Sequence, residues 1–279
     1  MLGKLDLLFN RHEHIETHLR QSVHLGRAVR VDVWLPPHYL SHAGRYPLLL
    51  FNDGQDMPGL RLAETLETLM ASHRMRRIVV AAIYPEHHRI HEYGTACQPD
   101  YQGRGARAAR YSRFVVQELL PFLHHRYRLA ADPLLTGFAG CSLGGLSAFD
   151  IAWNHPEHFR FAGVFSGALW WRSKAYEDGY VDQDRLIHNV VRFGEMPEQF
   201  RAWFEAGTED ETDDRNGNGI IDAIDDTLDL LAELRAKGCP EHQLRYLEIP
   251  GGKHDLPTWA QALPDFLAWA YPPDPAQRH

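Results

Sequence analysis

The chain holds only three cysteines in 279 residues, Cys97, Cys141 and Cys239, with no C-x-x-C spacing among them. A small odd number excludes a disulfide framework and fits a reducing compartment. No apolar run reaches the roughly 18 residues that a membrane-spanning helix needs. Cations are the minority, 29 lysines and arginines against 37 acids. The concentrated basic surface that grips nucleic acid or an anionic membrane is therefore missing. The opening MLGKLDLLFNRHEHIE turns polar after a short apolar stretch and has no small-residue cleavage site, which argues against a secretory signal. The expectation is a cytoplasmic protein with neither a nucleic-acid nor a membrane partner, its oligomeric state open. Internal repeats and low-complexity linkers are also absent, so residues 1–279 are read as one domain.

Histidine is plentiful, but its groupings make poor metal sites. His87, His88 and His91 fall in a polar loop, and His124 and His125 follow a helical stretch, in both cases without carboxylates or cysteines at ligand spacing. They are read as solvated surface residues.

Apolar patterning carries the fold. HLRQSVHL and AVRVDVWLP read as two antiparallel strands, the second alternating Val29, Val31, Val33 and Leu35. YPLLLFN, RIVVAAIY, DPLLTGF and FRFAGVFS are longer apolar runs, as expected of strands buried on both faces. RAWFEAG and QLRYLEI bring the strands to eight. Helical patterns at 61–73, 108–125, 143–154, 226–237 and 256–270 alternate with them. The succession predicts an α/β fold, a mostly parallel eight-stranded sheet with helices on both faces.

The strongest chemical signal is Gly140-Cys141-Ser142-Leu143-Gly144-Gly145, a G-x-S-x-G string where DPLLTGF should turn into the helix LSAFDIAWNH. A serine in such a turn is held in strained backbone with its hydroxyl exposed, and glycines two residues to either side avoid collisions with neighbouring backbone. The N–H of Leu143, first in the helix, faces a developing oxyanion. Cys141 competes as a thiol nucleophile, but its position directs it into the fold as a structural cysteine.

GCSLGG, with FNDGQD at 51–56, RIHEYG at 89–94, FVVQELLPFL at 114–123, SGALWW at 166–171 and GGKH at 251–254, resembles the esterase family of α/β-hydrolases. That family includes enterochelin esterases, S-formylglutathione hydrolases (esterase D), feruloyl esterase domains and mycolyltransferases. The likeness runs from about residue 20 to 270 and identifies the family better than the substrate. It implies the α/β-hydrolase fold, a small-molecule ester as substrate, no cofactor for catalysis, and a triad in the order Ser, acid, His. His254, on the loop after the last strand and beyond Gly251-Gly252, fits the general base by position as well. The resemblance selects Asp210 in GTED as the acid, while Glu209, Glu211 and Asp214 stand within a few residues as alternatives. It also assigns the second oxyanion donor to the backbone of Gln55; in the bland alternative Asp53-Gly54-Gln55 is merely a tight turn. In the implied mechanism Ser142 attacks the ester carbonyl, an acyl-enzyme forms, and water releases the acid.

Charge is localised. Nine carboxylates and one cation, Arg215, lie between Glu209 and Asp229. Within that stretch Asp214, Asn216, Asn218, Asp222 and Asp225 fall at positions 1, 3, 5, 9 and 12 of a calcium-loop pattern, with the Ile220 carbonyl at 7 and glycine at 6. A structural calcium is therefore expected on a loop inserted at about 210–226. No entering helix precedes the loop, and aspartate replaces the usual glutamate at the last position, as in dockerin-like loops. The competing reading is an Asn-Gly turn flanked by solvating acids.

On the substrate side, the resemblance makes Trp170 and Trp171 an aromatic wall, with a core tryptophan pair as the alternative. Arg89, Glu92 and Tyr93 occupy a loop on the catalytic edge, where they either bind polar substrate groups or pair among themselves. Segment 91–110 is the place for a lid. A serine carboxylic ester hydrolase is the leading expectation. An acyltransferase on the same scaffold and a noncatalytic hydrolase-fold binding protein are the alternatives.

Overall fold

The computed structural model describes residues 14–273; residues 1–13, most of the stretch read above as lacking a secretory signal, lie outside them. Period-two alternation builds β1 (His14–Ser22) and β2 (Arg27–Leu35), paired antiparallel. Gly26, at φ 67°, closes their turn by donating its N–H to the Ser22 carbonyl at 2.9 Å. This places β1 a few residues earlier than HLRQSVHL, because a left-handed glycine fixes the turn at Ser22 to Gly26.

The chain continues through β3 (Leu48–Asn52), α1 (Leu62–Ala71), β4 (Val79–Ile83), α2 (Arg89–Glu92), α3 (Ala108–Arg113) and α4 (Leu120–Arg126). Then come β5 (Thr136–Cys141), α5 (Leu143–Asn154), β6 (Phe161–Phe165), α6 (Leu186–Phe193), β7 (Arg201–Glu209), α7 (Asp222–Ala236), β8 (Leu244–Lys253) and α8 (Leu256–Ala270). The eight strands form one sheet in the order β1-β2-β4-β3-β5-β6-β7-β8. Strand β2 is antiparallel to both its neighbours, and all other pairings are parallel. Every residue of β3, β4, β5 and β6 is buried, because helices cover both faces. Helices α1 and α8 close one face over Leu49, Phe51, Phe165 and Trp203; α5, α6 and α7 close the other over Leu50, Phe138 and Phe204.

Several boundaries differ from the sequence expectation, each for a local reason. Strand β5 starts at Thr136 rather than Asp132, because the Asp132 carboxylate accepts from the Leu134 N–H and caps a 3₁₀ turn over Pro133–Leu135. The stretch 108–125 is helical but carries a π segment, Phe114–Leu119, between α3 and α4. Helix α7 begins at Asp222, four residues early, with acids in its first turn complementing the helix dipole. Helix α6 was not anticipated; it buries Leu186, Ile187 and Val191 on one side. Strand β8 runs through Gly251-Gly252 to Lys253, where a loop was expected, because the Gly251 N–H donates to Thr208 Oγ1 at 2.7 Å and Glu209 pairs with Lys253 across a bulge.

Candidate active site

Parallel strands deliver their carboxyl ends to one edge of a sheet, and the residues that follow β5, β7 and β8 lie along that edge. Ser142 follows β5, Asp210 follows β7 and His254 follows β8. Ser142 sits at φ 55°, ψ −124°, a conformation that costs a non-glycine residue energy. The turn is held by its own backbone: the Ser142 N–H donates to Phe165 O at 2.8 Å, and its carbonyl accepts from Gly145, Leu146 and Ala168.

The flanking glycines have separate reasons. A Cβ at Gly140 would lie 2.5 Å from the Gly144 carbonyl carbon and oxygen, a backbone clash as expected. A Cβ at Gly144 would instead meet Asp53 Oδ2 at 2.5 Å, a side chain from the loop after β3. Overpacking at such a site costs about 1–3 kcal/mol, so Gly140→Ala is expected to lower unfolding stability by that amount or more in a denaturant titration.

Asp53 joins the two halves of the site. It is 1% exposed, takes φ 61°, and begins a 3₁₀ turn over Gly54–Asp56. Arg89 Nε donates to its Oδ1 at 2.8 Å and Nη2 to its Oδ2 at 3.0 Å; Nη2 also donates to the Cys141 carbonyl at 3.3 Å. One guanidinium thus ties the β3 loop to the residue before the nucleophile. The Asp53 N–H donates to the Tyr93 hydroxyl at 3.2 Å. Asn52 Nδ2 donates to Gly144 O at 2.8 Å, and Tyr111 donates to Asn52 Oδ1 at 2.5 Å. Gln55 is exposed. Gln55 and Leu143 both lie in the first turn of a helix, where backbone N–H groups have no intrahelical acceptor.

Glu92 and Tyr93 of the 89–93 loop face inward. Glu92 is fully buried, its carboxylate accepting from Arg27 Nε at 3.0 Å and Nη2 at 2.6 Å. Tyr93 is fully buried as well. Arg89 and Glu92 pair not with each other, as the alternative reading has it, but with Asp53 and Arg27, and Arg89 alone of the three keeps partial exposure. Segment 91–110 is pinned by Ala96 N–H to Asp150 and by Tyr101 N–H to the Arg172 carbonyl. Trp171 is 1% exposed and packs in the core, close to Gly94 and Gly105, whereas Trp170 stays partly open beneath the Arg104 guanidinium at 5.1 Å. Cys141 is buried, and burial pushes its thiol well above the ordinary value.

His254 stands between β8 and α8, open to solvent on one side, with its ring edge-on to Trp259 at 5.1 Å and 83°. Desolvation lowers its pKa; the Asp210 charge opposes that and the Arg89 charge adds to it. Burial raises the Asp210 carboxyl, with Ser166 and His254 opposing. Both Asp210 oxygens are buried without a hydrogen-bond partner among the described residues. Glu211 turns toward the acidic loop instead, where burial raises it to about 7.

Sequence reasoning missed four residues around the triad positions: Asp53, Ser166, Glu205 and Trp259. The Trp259 indole donates to Ser166 Oγ at 2.8 Å, and Ser166 Oγ donates to Glu205 Oε2 at 3.4 Å. Glu205 left a readable signal, a lone acid in the apolar strand RAWFEAG.

In the acidic loop, Asp214 accepts from the N–H groups of Asn218 at 3.1 Å and Gly219 at 2.9 Å, while Asn216 and Asn218 both donate to Asp225 Oδ2. The Ile220 N–H donates to Asn218 Oδ1 at 2.7 Å. Asp222 is drawn aside, accepting from the Arg215 backbone at 2.9 Å and pairing with its guanidinium at 3.2 Å. Arg215 also pairs with Asp226 and Asp182. Among the described residues no three His, Cys, Asp or Glu side chains are gathered as a metal site. The histidines at 87, 91, 124 and 125 are exposed.

The profile of the family described as Putative esterase matches residues 22–270. The chain belongs to this esterase family. It is accordingly a carboxylic ester hydrolase. The esterase is 23% identical over 254 residues to the uncharacterized protein YbbA of Bacillus subtilis, covering 90% of this chain and 95% of that one. Its fold matches the enterobactin esterase FES of Shigella flexneri with a TM-score of 0.71 at 23% identity. That match covers 92% of this chain but 59% of the Shigella chain. An IroE-like serine hydrolase from Shewanella oneidensis matches with a TM-score of 0.70 at 18% identity, over 92% of this chain and 79% of that one. These matches place the sheet and helices in the α/β-hydrolase fold. No helix among the described residues of the esterase is long and apolar enough to cross a membrane.

Proposed function

We propose that the esterase cleaves small-molecule carboxylic esters through a Ser142–His254–Asp210 triad and an acyl-enzyme intermediate. The observation that carries this reading is the strained backbone of Ser142 at the end of β5, opposite the pinned Asp53 loop. His254 takes the Ser142 proton as the hydroxyl oxygen attacks the ester carbonyl carbon. The N–H groups of Leu143 and Gln55 hold the negative oxygen, and Asp210 stabilises the imidazolium. Collapse of the tetrahedral intermediate expels the alcohol, protonated by His254; water, deprotonated by the same histidine, then frees the acid. Trp170 forms part of the acyl pocket wall, with Trp171 supporting it from the core. A fluorophosphonate probe should phosphonylate Ser142, read by peptide mass spectrometry. An adduct on any other residue, or none, would refute the assignment.

The histidine must be neutral to act as base, and burial lowers its pKa. The acid limb of kcat/KM should therefore fall below the ordinary histidine value of about 6.5 in a rate profile with a 4-nitrophenyl ester. A limb above that value counts against His254 as the base.

We infer a structural calcium held by Asp214, Asn216, Asn218, Asp225 and the Ile220 carbonyl, with Asp222 reaching it through water while paired to Arg215. The support is the convergence of Asn216 and Asn218 on Asp225 and of two loop N–H groups on Asp214. Binding to the native state alone would raise the melting temperature by mass action, so calcium should shift thermal melting upward relative to chelator. Superimposable curves, with no calcium found by elemental analysis, rule it out. The three unpaired thiols, two of them buried, support a reducing compartment such as the cytoplasm.

A further inference from the structure

Two carboxyl groups, not one, stand behind the histidine. Glu205 on β7 is 1% exposed, and its Oε1 has no hydrogen-bond partner among the described residues. Its Oε2 accepts from Ser166 Oγ at 3.4 Å, and that hydroxyl accepts from the Trp259 indole at 2.8 Å. Ser166, held at φ 42° by its N–H donating to the Glu205 carbonyl at 2.8 Å, also lies near enough to Asp210 to favour its charged form. The Ser166 hydroxyl thus stands between two carboxyl groups, donating to Glu205 and leaving both Asp210 oxygens without a hydrogen-bond partner among the described residues, while the indole that fixes it lies edge-on to the His254 ring.

Among the described residues no lysine, arginine or histidine lies within salt-bridge distance of Glu205. The Cys141 thiol of β5, the Tyr246 phenol of β8 and Asp210 beyond β7 lie within its field, and α8 contributes the uncharged Trp259 through Ser166. On β6 the neighbour is the Ser166 hydroxyl. Two adjacent buried carboxylates cannot both ionise cheaply, and the one beside His254 must be the anion. We propose that Glu205 carries a proton while the enzyme works and is a positioning residue for Asp210, and that loss of this proton ends activity on the alkaline side. An ionised Glu205 would compete with Asp210 for the Ser166 proton and repel it from the imidazole. Burial, and then the Asp210 charge, push the Glu205 carboxyl up to about 8.

This inference rests on the triad reading, and the experiment separates the two. Release of 4-nitrophenol from its butyrate ester is followed across the pH range for the wild type, Glu205→Gln and Asp210→Asn. The wild type is expected to lose kcat/KM above about pH 8, by about tenfold per pH unit for one ionisation. Glu205→Gln should match it within about threefold near neutrality and hold its plateau into the alkaline range. Coincident alkaline limbs overturn the proposal, as does a neutral-pH loss in Glu205→Gln as large as that in Asp210→Asn. Full activity in Asp210→Asn would sink the triad reading instead. Should Glu205→Gln fail to fold, ¹³C-carboxyl NMR of glutamate-labelled Glu211→Gln protein takes its place, because burial lifts Glu211 as well. A glutamate titrating near 8 is expected there, and none above about 6 overturns the assignment.

Discussion

Ser142→Ala is expected to lower kcat/KM toward a short-chain 4-nitrophenyl ester by about ten-thousand-fold or more, because triad members act as a unit and little catalysis survives the loss of the nucleophile. The fold should not notice. The hydroxyl is partly exposed, so its removal opens no cavity, and alanine keeps the Cβ that already tolerates φ 55° and ψ −124°. Thermal melting within a degree or so of the wild type would isolate the effect as chemical. Cys141 next door is a poor understudy, being buried with its thiol pushed well above the ordinary value. Retention of activity within tenfold would remove Ser142 from the mechanism.

The second large effect is expected from Arg89→Met, although this residue makes no bond to the ester in the proposed mechanism. It holds Asp53 through two hydrogen bonds and reaches the Cys141 carbonyl, so it fixes the distance between the Gln55 loop and the strand-to-helix turn at Ser142, the elbow. Loss of one oxyanion donor costs about a hundred- to a thousand-fold in kcat, and misplacing the Gln55 N–H should approach the lower figure. KM should change far less, because the oxyanion contacts strengthen only as charge develops. Stability should fall too, by about 2–3 kcal/mol, since a carboxylate 1% exposed loses its partner; the figure is moderated because Arg89 is 34% exposed. Adding Asp53→Asn should restore stability more than turnover. Unchanged kcat in a folded Arg89→Met protein would show that the Gln55 loop keeps its place without the ion pair.

Local signals carried much of this site. G-x-S-x-G between an apolar run and an amphipathic stretch located Ser142, since strand, turn and helix chemistry are all readable within a dozen residues. Position after the last strand located His254 by the same kind of reasoning. Asp210 could be chosen among four neighbouring acids only by likeness to a family; in the structure its buried oxygens lie in the field of His254, whereas Glu211 turns away. For Glu92 and Tyr93 the sequence leaves open substrate binding or pairing within their own loop, because their partners lie elsewhere in the chain. Arg27 on a distant strand buries the first, and the Asp53 backbone engages the second.

The amino-acid pattern by itself determined the layered α/β class, the strand count, the elbow and the absence of a framework of disulfides. These depend on periodicity, turn residues and composition, which act over short spans of chain. Only the tertiary structure decided that Gly144 must be small to admit Asp53, that Arg89 ties two loops together, and that Glu205 and Asp210 both lie beside Ser166. Those facts join β3 to α5, the loop after β4 to β5, and β6 to β7 and α8. Contacts between residues so far apart in the chain are set by sheet order and register, and no local spacing records them.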